Sequence, residues 1–437
     1  TRLVSHLRRD CLSIFHAAVR SAGPGHALAR AMAAPGVAGF IASQPLRVIA
    51  AGKAAPGMMT AFLDLASARV QGGLVVATGG GVPMPPGIDV RVGGHPTPTD
   101  ASVAAGRRAL DIAGGLQDDE RLVVLLSGGA SAMLAVPAEE VSLQDKQETT
   151  ARLLGEGADI GRLNTVRKHL SRIKGGWLGA AARRPSLTLA ISDVIGDDLS
   201  VIGSGPTVPD ASTYGAALSV LDEFGPRARY PAAAVRRLER GANGLLAETP
   251  KPGDLRLALS LARVVASRLD ALEGARAAAE ALGYRTAVRS DPVIGEARDA
   301  AQSHLELAGM LARGVRRPAC ILSAGETTVR VRGGGRGGRN QEFALAAAAL
   351  LPGFGADVVC ASCGTDGVDG PTDAAGGMTD TTTLERARAL GLGGHDGYLR
   401  NNDSYAFLRA VGDLVITGPT GTNVGDIQIL LIADTSF

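Results

Sequence analysis

Residues 121–131 read RLVVLLSGGAS. The run from Arg121 to Leu126 is apolar after its first residue, and it breaks at once into Ser127-Gly128-Gly129-Ala130-Ser131. A strand that is apolar without alternation is buried on both faces, the habit of parallel sheets covered by helices on either side. Working toward the N-terminus, RVIAA at 47–51, LVVA at 74–77 and IDVRV at 88–92 share that character. Ala-rich stretches separate them, one helix opening at Pro56 and running to about Ala68, another capped by Thr99 and running through Ala109. Toward the C-terminus, LTLAI at 187–191 ends at Ser192-Asp193. Strands alternating with helices in this way predict an α/β domain on a doubly wound, mainly parallel sheet. Ligands of such sheets sit at the carboxyl ends of the strands, and Lys53, Ser127–Ser131 and Asp193 all fall there.

Farther along, GANGLLAETPKPG at 241–253 turns into a linker-like mix of Gly, Pro and polar residues. A long Ala/Arg helix is expected from Leu255 to Leu282. The alternation then resumes, with strands near 285–288, 319–323, 327–331 and 358–361 and helices over 295–311 and 341–351. The chain therefore reads as two domains, 1–245 and 255–437, and 437 residues are enough for two cores. Forty-five basic residues against forty-three acidic ones leave a net charge of +2, which excludes a general nucleic-acid or membrane-surface binder. Aromatics at 3% are too few for base-stacking platforms. No run of about 18 apolar residues predicts a membrane span, and Thr1-Arg2-Leu3-Val4 lacks the apolar core of a signal peptide, so a cytoplasmic protein is expected. Cys360-Ala-Ser-Cys363 has a redox or half-zinc spacing. With no second pair to complete a metal site, the four cysteines read as reduced thiols.

Six clusters carry chemistry. Lys53 lies between a buried strand and a helix start, either a surface lysine at a turn or a cation aimed at a phosphate or a reacting hydroxyl; the surrounding residues do not make a P-loop. In Ser127-Gly128-Gly129-Ala130-Ser131 the two glycines allow close backbone approach and the N–H groups can cradle an anion. NTVRKHLSRIKGG at 164–176 supplies Arg167, Lys168 and Lys174 for an anion site, or a solvated helix face; His169 reads as structural. Asp193, nearest its strand end in SDVIGDD, can hold a metal or take a proton from a hydroxyl nucleophile. In the second half, GGGRGGRNQE at 333–342 contains G-x-G-x-x-G, which makes a dehydrogenase the natural rival, but Arg336 and Arg339 inside the loop suit a multiply charged phosphate better. The acids of CGTDGVDGPTD at 363–373, Asp366 foremost, could hold Mg²⁺ through water.

Taken in order, AGKA at 51–54, LSGGAS at 126–131, NTVRKHLSRIKGG, SDVIGDD at 192–198, GSGPTVPD at 203–210, GETTVRVRGGGRGGRNQEF, GTDGVDGPTDAAGG, NNDSYAFL at 401–408 and GPTGTNVGD at 418–426 resemble the glycerate 2-kinase family, whose C-terminal part is a MOFRL domain. The match spans nearly the whole chain; Ala324 and Gly425 are mild departures from the family pattern. The resemblance implies ATP-dependent phosphorylation of D-glycerate to 2-phosphoglycerate with Mg²⁺ as cofactor. It also implies a Rossmann-like N-terminal domain, a smaller MOFRL-type α/β domain, and an active site in the cleft between them. Carried over residue by residue, Lys53, Asp193 and Arg339 form the catalytic set. Ser127, Gly128, Gly129, Ser131, Arg167, Lys174, Glu326, Arg336 and Asn340 bind substrate or phosphate, and Asp193 and Asp366 bind the metal. The expected partners are D-glycerate and ATP, without nucleic acid or membrane, and a homodimer is an open assembly. The rivals are an NAD(P)H-dependent hydroxypyruvate reductase and a non-catalytic anion-binding protein on the same fold.

Overall fold

The computed structural model describes residues 2–79 and 83–434. The chain divides into two compact units, a central one formed by Ala27–Val265 and a terminal one formed by Thr1–His26 with Ala266–Phe437.

The central unit is organised by a six-stranded sheet of β1 (Leu46–Ala51), β2 (Val70–Ala77), β3 (Ile88–Val92), β4 (Arg121–Leu126), β5 (Ser186–Ile191) and β6 (Ser260–Ala266). Its order is β3-β2-β1-β4-β5-β6. The chain winds outward from β1 to one edge, returns, and winds to the other, as in a doubly wound dinucleotide-type sheet. The pairings β3–β2, β2–β1, β1–β4 and β4–β5 are all parallel. β5 is buried throughout and β4 at every residue but Arg121, which is why they read as continuous apolar runs. Ile49, Leu74, Leu122, Val124 and Leu126 form the centre of the core, and the helix Asp100–Gly114 covers it through Ala105, Ala109 and Ala113. Thr99 opens that helix with a capping box to Ser102, as its sequence predicts. A second, all-helical core of Leu163, Val166, Tyr214, Leu221 and Leu238 supports the helix Ile160–His169.

The helix expected from Leu255 to Leu282 is broken in two. Residues 260–266 form β6, with a partly alternating burial pattern and two β-branched valines. Ser267 then starts a new helix, Arg268–Ala281, with a capping box to Asp270. Ala and Arg suit a helix by composition, and the pairing beside β5 overrides that preference.

The terminal unit contains β7 (Arg285–Val288), β8 (Val293–Glu296), β9 (Ala319–Thr328), β10 (Val358–Gly364), β11 (Gly376–Asp380), β12 (Leu414–Val415) and β13 (Asp426–Ile432). The sheet runs β12-β11-β10-β13-β9-β7, with β8 also on β9. It is antiparallel from β12 to β9, while β7 and β8 pair with β9 in parallel. The two strands expected at 319–323 and 327–331 are one, β9, ten residues long. The N-terminal helix Arg2–Ser21, which the sequence reading places with residues 1–245, packs in this unit. It lies on Arg268–Ala281 where Gly274 has no Cβ to meet the main chain of Ala17. Arg8 pairs with Asp380 and Asp413, and Asp10 accepts from the Tyr284 hydroxyl at 2.7 Å.

Among the described residues no helix is long and apolar enough to cross a membrane.

Candidate active site

In the central unit three neighbouring strands end side by side with the residues their sequences single out. β1 ends at Ala51 and delivers Lys53, exposed. β4 ends at Leu126 and delivers Ser127 to Ser131. β5 ends at Ile191 and delivers Asp193, half-buried. In the order β1-β4-β5 the outer two strands are separated by about 10 Å, two strand spacings. The switch in winding direction falls between β1 and β4, where such sheets open a crevice.

The first two turns are tied together. Lys53 N–H donates to Gly128 O at 2.9 Å and Ala54 N–H to Ser127 Oγ at 3.0 Å. Gly52 sits at φ 124°, and a Cβ there would collide with the Ser127 hydroxyl and carbonyl, so only glycine lets the strands close up. Gly129 takes a left-handed φ of 86° and starts the short helix Ala130–Met133. Ser127 is thus a buried structural hydroxyl, while Gly128, Gly129 and half-buried Ser131 form the lip of the turn.

Behind the lip lies a group of cations. Lys174 Nζ donates to Ser131 O at 2.6 Å, Ser131 Oγ at 3.0 Å and Leu134 O at 3.2 Å, so all three ammonium protons hold the loop in shape. Lys174 therefore builds the anion loop and has no proton left to reach a ligand. Burial first, then the charges of Lys146 and Arg167, pushes its pKa well down. Lys146 is also buried, bonds Leu170 O at 2.9 Å, and is pushed down to about 7 by burial and by Arg167 and Arg237. Arg167 is half-buried, and its pKa is lowered by burial with no carboxylate opposing the shift. Lys168 pairs with buried Asp210 at 3.2 Å. His169 is structural, as expected: its ring bonds Thr165 O and Glu248 and stands edge-on to Tyr214.

The terminal unit assembles its charged residues around the N-terminus of the helix Arg339–Ala348. Arg339 makes a bidentate pair with Asp426, Nε to Oδ2 at 2.7 Å and Nη2 to Oδ1 at 2.9 Å, and its Nη1 lies 2.9 Å from Glu326. Burial alone would lower the arginine's pKa; the Asp426 charge and hydrogen bonds overcome it and hold the group above its ordinary value. Asn340 is buried and committed, donating to Asp369 and Asp426 and accepting from Ser362 Oγ at 2.6 Å. Asp369 caps the helix by accepting from the N–H groups of Asn340 and Gln341. Burial pushes its pKa up to about 6 despite those bonds. Arg336 is exposed, stacks over the Tyr405 ring and donates to Pro371 O at 2.8 Å.

The acids of the 363–373 loop do not act together. Asp369 is the helix cap, Asp373 accepts from the Tyr405 hydroxyl at 2.7 Å, and Asp366 accepts from Val368 N–H at 3.1 Å. Among the described residues no group of three or more His, Cys, Asp or Glu side chains is placed to hold a metal ion. The four cysteines are free and buried. The glycine loop does not match a dinucleotide fingerprint either. The N–H groups of Arg332 and Gly333 go to Asn402, those of Gly334 and Gly335 to Asn401, and that of Arg336 to Asp403. Donors that would face a pyrophosphate are already used.

Asn164, Lys146, Asp369 and Asp426 carry much of this geometry without having been singled out as site residues. Asn164, Asp369 and Asp426 lie inside NTVRKHLSRIKGG, GTDGVDGPTDAAGG and GPTGTNVGD, and an arginine largely withdrawn from water needs an anion. Nothing local says which aspartate it is.

Two family models match the chain, a domain of unknown function (DUF4147) over residues 10–239 and the MOFRL family over residues 319–426. The D-glycerate 2-kinase of Thermotoga maritima is 38% identical over 390 residues, covering 88% of this chain and 90% of its own. A protein of Agrobacterium vitis described as a putative hydroxypyruvate reductase is 41% identical over 394 residues, covering 88% of this chain and 86% of its own. The crystal structure of glycerate kinase from Thermotoga maritima superposes with a TM-score of 0.86 at 35% identity, covering 98% of this chain and all of that one.

Proposed function

The chain belongs to the glycerate 2-kinase family, and on that footing we propose that it transfers the γ-phosphoryl group of ATP to D-glycerate, giving 2-phosphoglycerate and ADP. The observation that carries this reading at the level of the site is the placement of Lys53, the Ser127–Ser131 turn and Asp193 on three adjacent strand ends. Asp193 takes the proton of the acceptor's 2-hydroxyl as that oxygen bonds to phosphorus and the bond to ADP breaks. Lys53 offsets the charge on the moving phosphoryl group. Arg339, held rigid by Asp426, does the same with a guanidinium that stays protonated. Gly128, Gly129 and Ser131 offer the turn that receives an anionic group, with Arg167 behind it.

Mg²⁺ bound with ATP would neutralise charge on the phosphate oxygens. Mg²⁺ keeps several waters and takes one or two protein carboxylates beside the phosphates, so the lack of a three-carboxylate cage among the described residues fits it; Asp193 would be the candidate ligand of the central unit and Asp366 that of the terminal unit. A cytoplasmic setting accords with four free, buried thiols.

The test is ADP release from ATP and Mg²⁺ with and without D-glycerate, with the product identified by phosphorus NMR. Glycerate-dependent ADP and a 2-phosphoglycerate resonance are expected; ADP release indifferent to glycerate would overturn the reading. The name of the Agrobacterium vitis relative favours a reductase as second reading. Oxidation of NADH on addition of hydroxypyruvate would support it, and the occupied N–H groups of the glycine loop speak against it.

A further inference from the structure

The hydrogen bonds behind the Ser127–Ser131 turn run in one direction. The Lys174 ammonium can only donate, and one of its protons goes to Ser131 Oγ at 3.0 Å. Ser131 then gives its own proton to Ser204 Oγ, 2.8 Å away, and Ser204 donates to Asn164 Oδ1 at 2.9 Å. With Ser204 donating to the amide oxygen, the Ser131 proton is the one that bridges the two hydroxyls, and the chain is consistent from the ammonium to the amide. The Asn164 oxygen faces Ser204, and its NH₂ group faces away. Asn164 is 3% exposed, and its Nδ2 has no acceptor among the described residues. Desolvating such a donor without a partner is unfavourable, which is a reason to look for the missing one.

Arg167 lies three residues on, on the same face of the helix Ile160–His169. It too has no hydrogen-bond or carboxylate partner among the described residues, although it is half-buried. The Arg167 charge bears on the buried amino groups of Lys146 and Lys174, and that of Lys146 on Lys174, so basic groups cluster here. Among the described residues neither Asn164 Nδ2 nor Arg167 is bonded to an anion. The group is joined through Ser204 and Ser131 to the turn that Lys53 also bonds.

We propose that Asn164 Nδ2 and the Arg167 guanidinium form the subsite for the acceptor's carboxylate, so that the site selects 2-hydroxy acids over neutral polyols. This deepens the glycerate kinase reading and rests on it. A planar guanidinium edge beside an amide N–H matches the two oxygens of a carboxylate, and the charge-assisted bonds give the discrimination its size. ATP phosphates share the anionic chemistry, so the test varies the two substrates separately.

Initial rates are measured for the wild type, Arg167→Met, Arg167→Lys and Asn164→Asp, varying D-glycerate at saturating ATP and ATP at saturating D-glycerate. Glycerol serves as the acceptor that lacks a carboxylate. The expected result is a KM for D-glycerate raised about 10- to 100-fold in Arg167→Met and Asn164→Asp, with KM for ATP changed less than about 2-fold. The preference for glycerate over glycerol falls by the same factor. Arg167→Lys keeps bulk and charge, loses the planar fork, and lands between, which keeps the test open if the methionine variant does not fold. A raised KM for ATP with that for glycerate unchanged would assign the subsite to phosphate and overturn the proposal, as would unchanged constants for both. A wild type with no glycerate-dependent turnover would instead refute the function itself.

Discussion

Replacing Asp426 by Asn exchanges one carboxylate oxygen for an NH₂ group beside Arg339. Asp426 is fully buried and accepts three hydrogen bonds, two from Arg339 at 2.7 and 2.9 Å and one from Asn340 Nδ2 at 2.9 Å. The asparagine keeps the volume and one acceptor but loses the charge and one of the paired bonds. Removing one partner of a fully buried charge pair costs about 3–5 kcal/mol; the Arg339 side chain is 33% exposed and one acceptor is kept, so this case lies below that range, at about 2–3 kcal/mol. Glu326 would then be the arginine's remaining ion-pair partner, and its side chain is 46% exposed. The guanidinium should tilt toward it by a fraction of an ångström, enough to weaken a contact made only in the transition state. We expect kcat to fall about 100-fold with KM for D-glycerate changed less than about 3-fold, read from coupled ADP release with each substrate varied in turn. Glu326→Gln is the control on the same arginine: an exposed pair is worth at most about 1 kcal/mol, so kcat should fall less than about 5-fold. An Asp426→Asn enzyme, shown folded by circular dichroism, with kcat within about 3-fold of wild type would refute the role given to Arg339.

Gly52→Ala puts a Cβ into Ser127 at a positive φ, so it should lower stability by about 2–4 kcal/mol in urea unfolding and abolish turnover; wild-type kinetics would show that the two turns need not close. Asp369 has a folded pKa of about 6 against an ordinary value of 3.8, so the folded state holds the extra proton between those values and stability should fall as pH rises from about 4 to 6, by about 3 kcal/mol. Fluorescence-monitored unfolding across that range, with Asp369→Asn as the comparator, checks it; a wild type whose stability is flat or rises relative to the variant would contradict the assignment. Burial raises the pKa of all four cysteines, Cys360 to about 12, so Ellman's reagent should label none in the native protein and four in urea. Rapid labelling without denaturant would show that one of them is accessible.

The strand–turn–helix pattern of residues 46–191 was legible because each part is local: apolar runs of strand length, glycines where the chain must turn, and Thr99 with Ser102 at a helix start. The placement of Lys53, Ser127–Ser131 and Asp193 at those strand ends was legible for the same reason, since a parallel sheet brings the carboxyl ends of its strands together whatever the connections. The stretch 255–282 misled because Ala and Arg are good helix formers, while the pairing beside β5 is a nonlocal term that composition does not report. Lys174, Asp369 and Asp373 misled in another way. Their residue types suit phosphate and metal, but what they bond is set by neighbours dozens of residues away.

By itself, then, the sequence determined the alternation of strands and helices, the turns at the ends of β1, β4 and β5, and the family to which they belong. Tertiary structure alone decided that the first helix packs in the unit that residues 266–437 build, that Asp426 is the anion holding Arg339, and that Asn164 Nδ2 and Arg167 are donors without an acceptor among the described residues. The reason is physical: backbone propensity and periodicity act over a few residues, whereas the partner of a buried charge is selected by which distant segments the folded chain brings within about 3 Å.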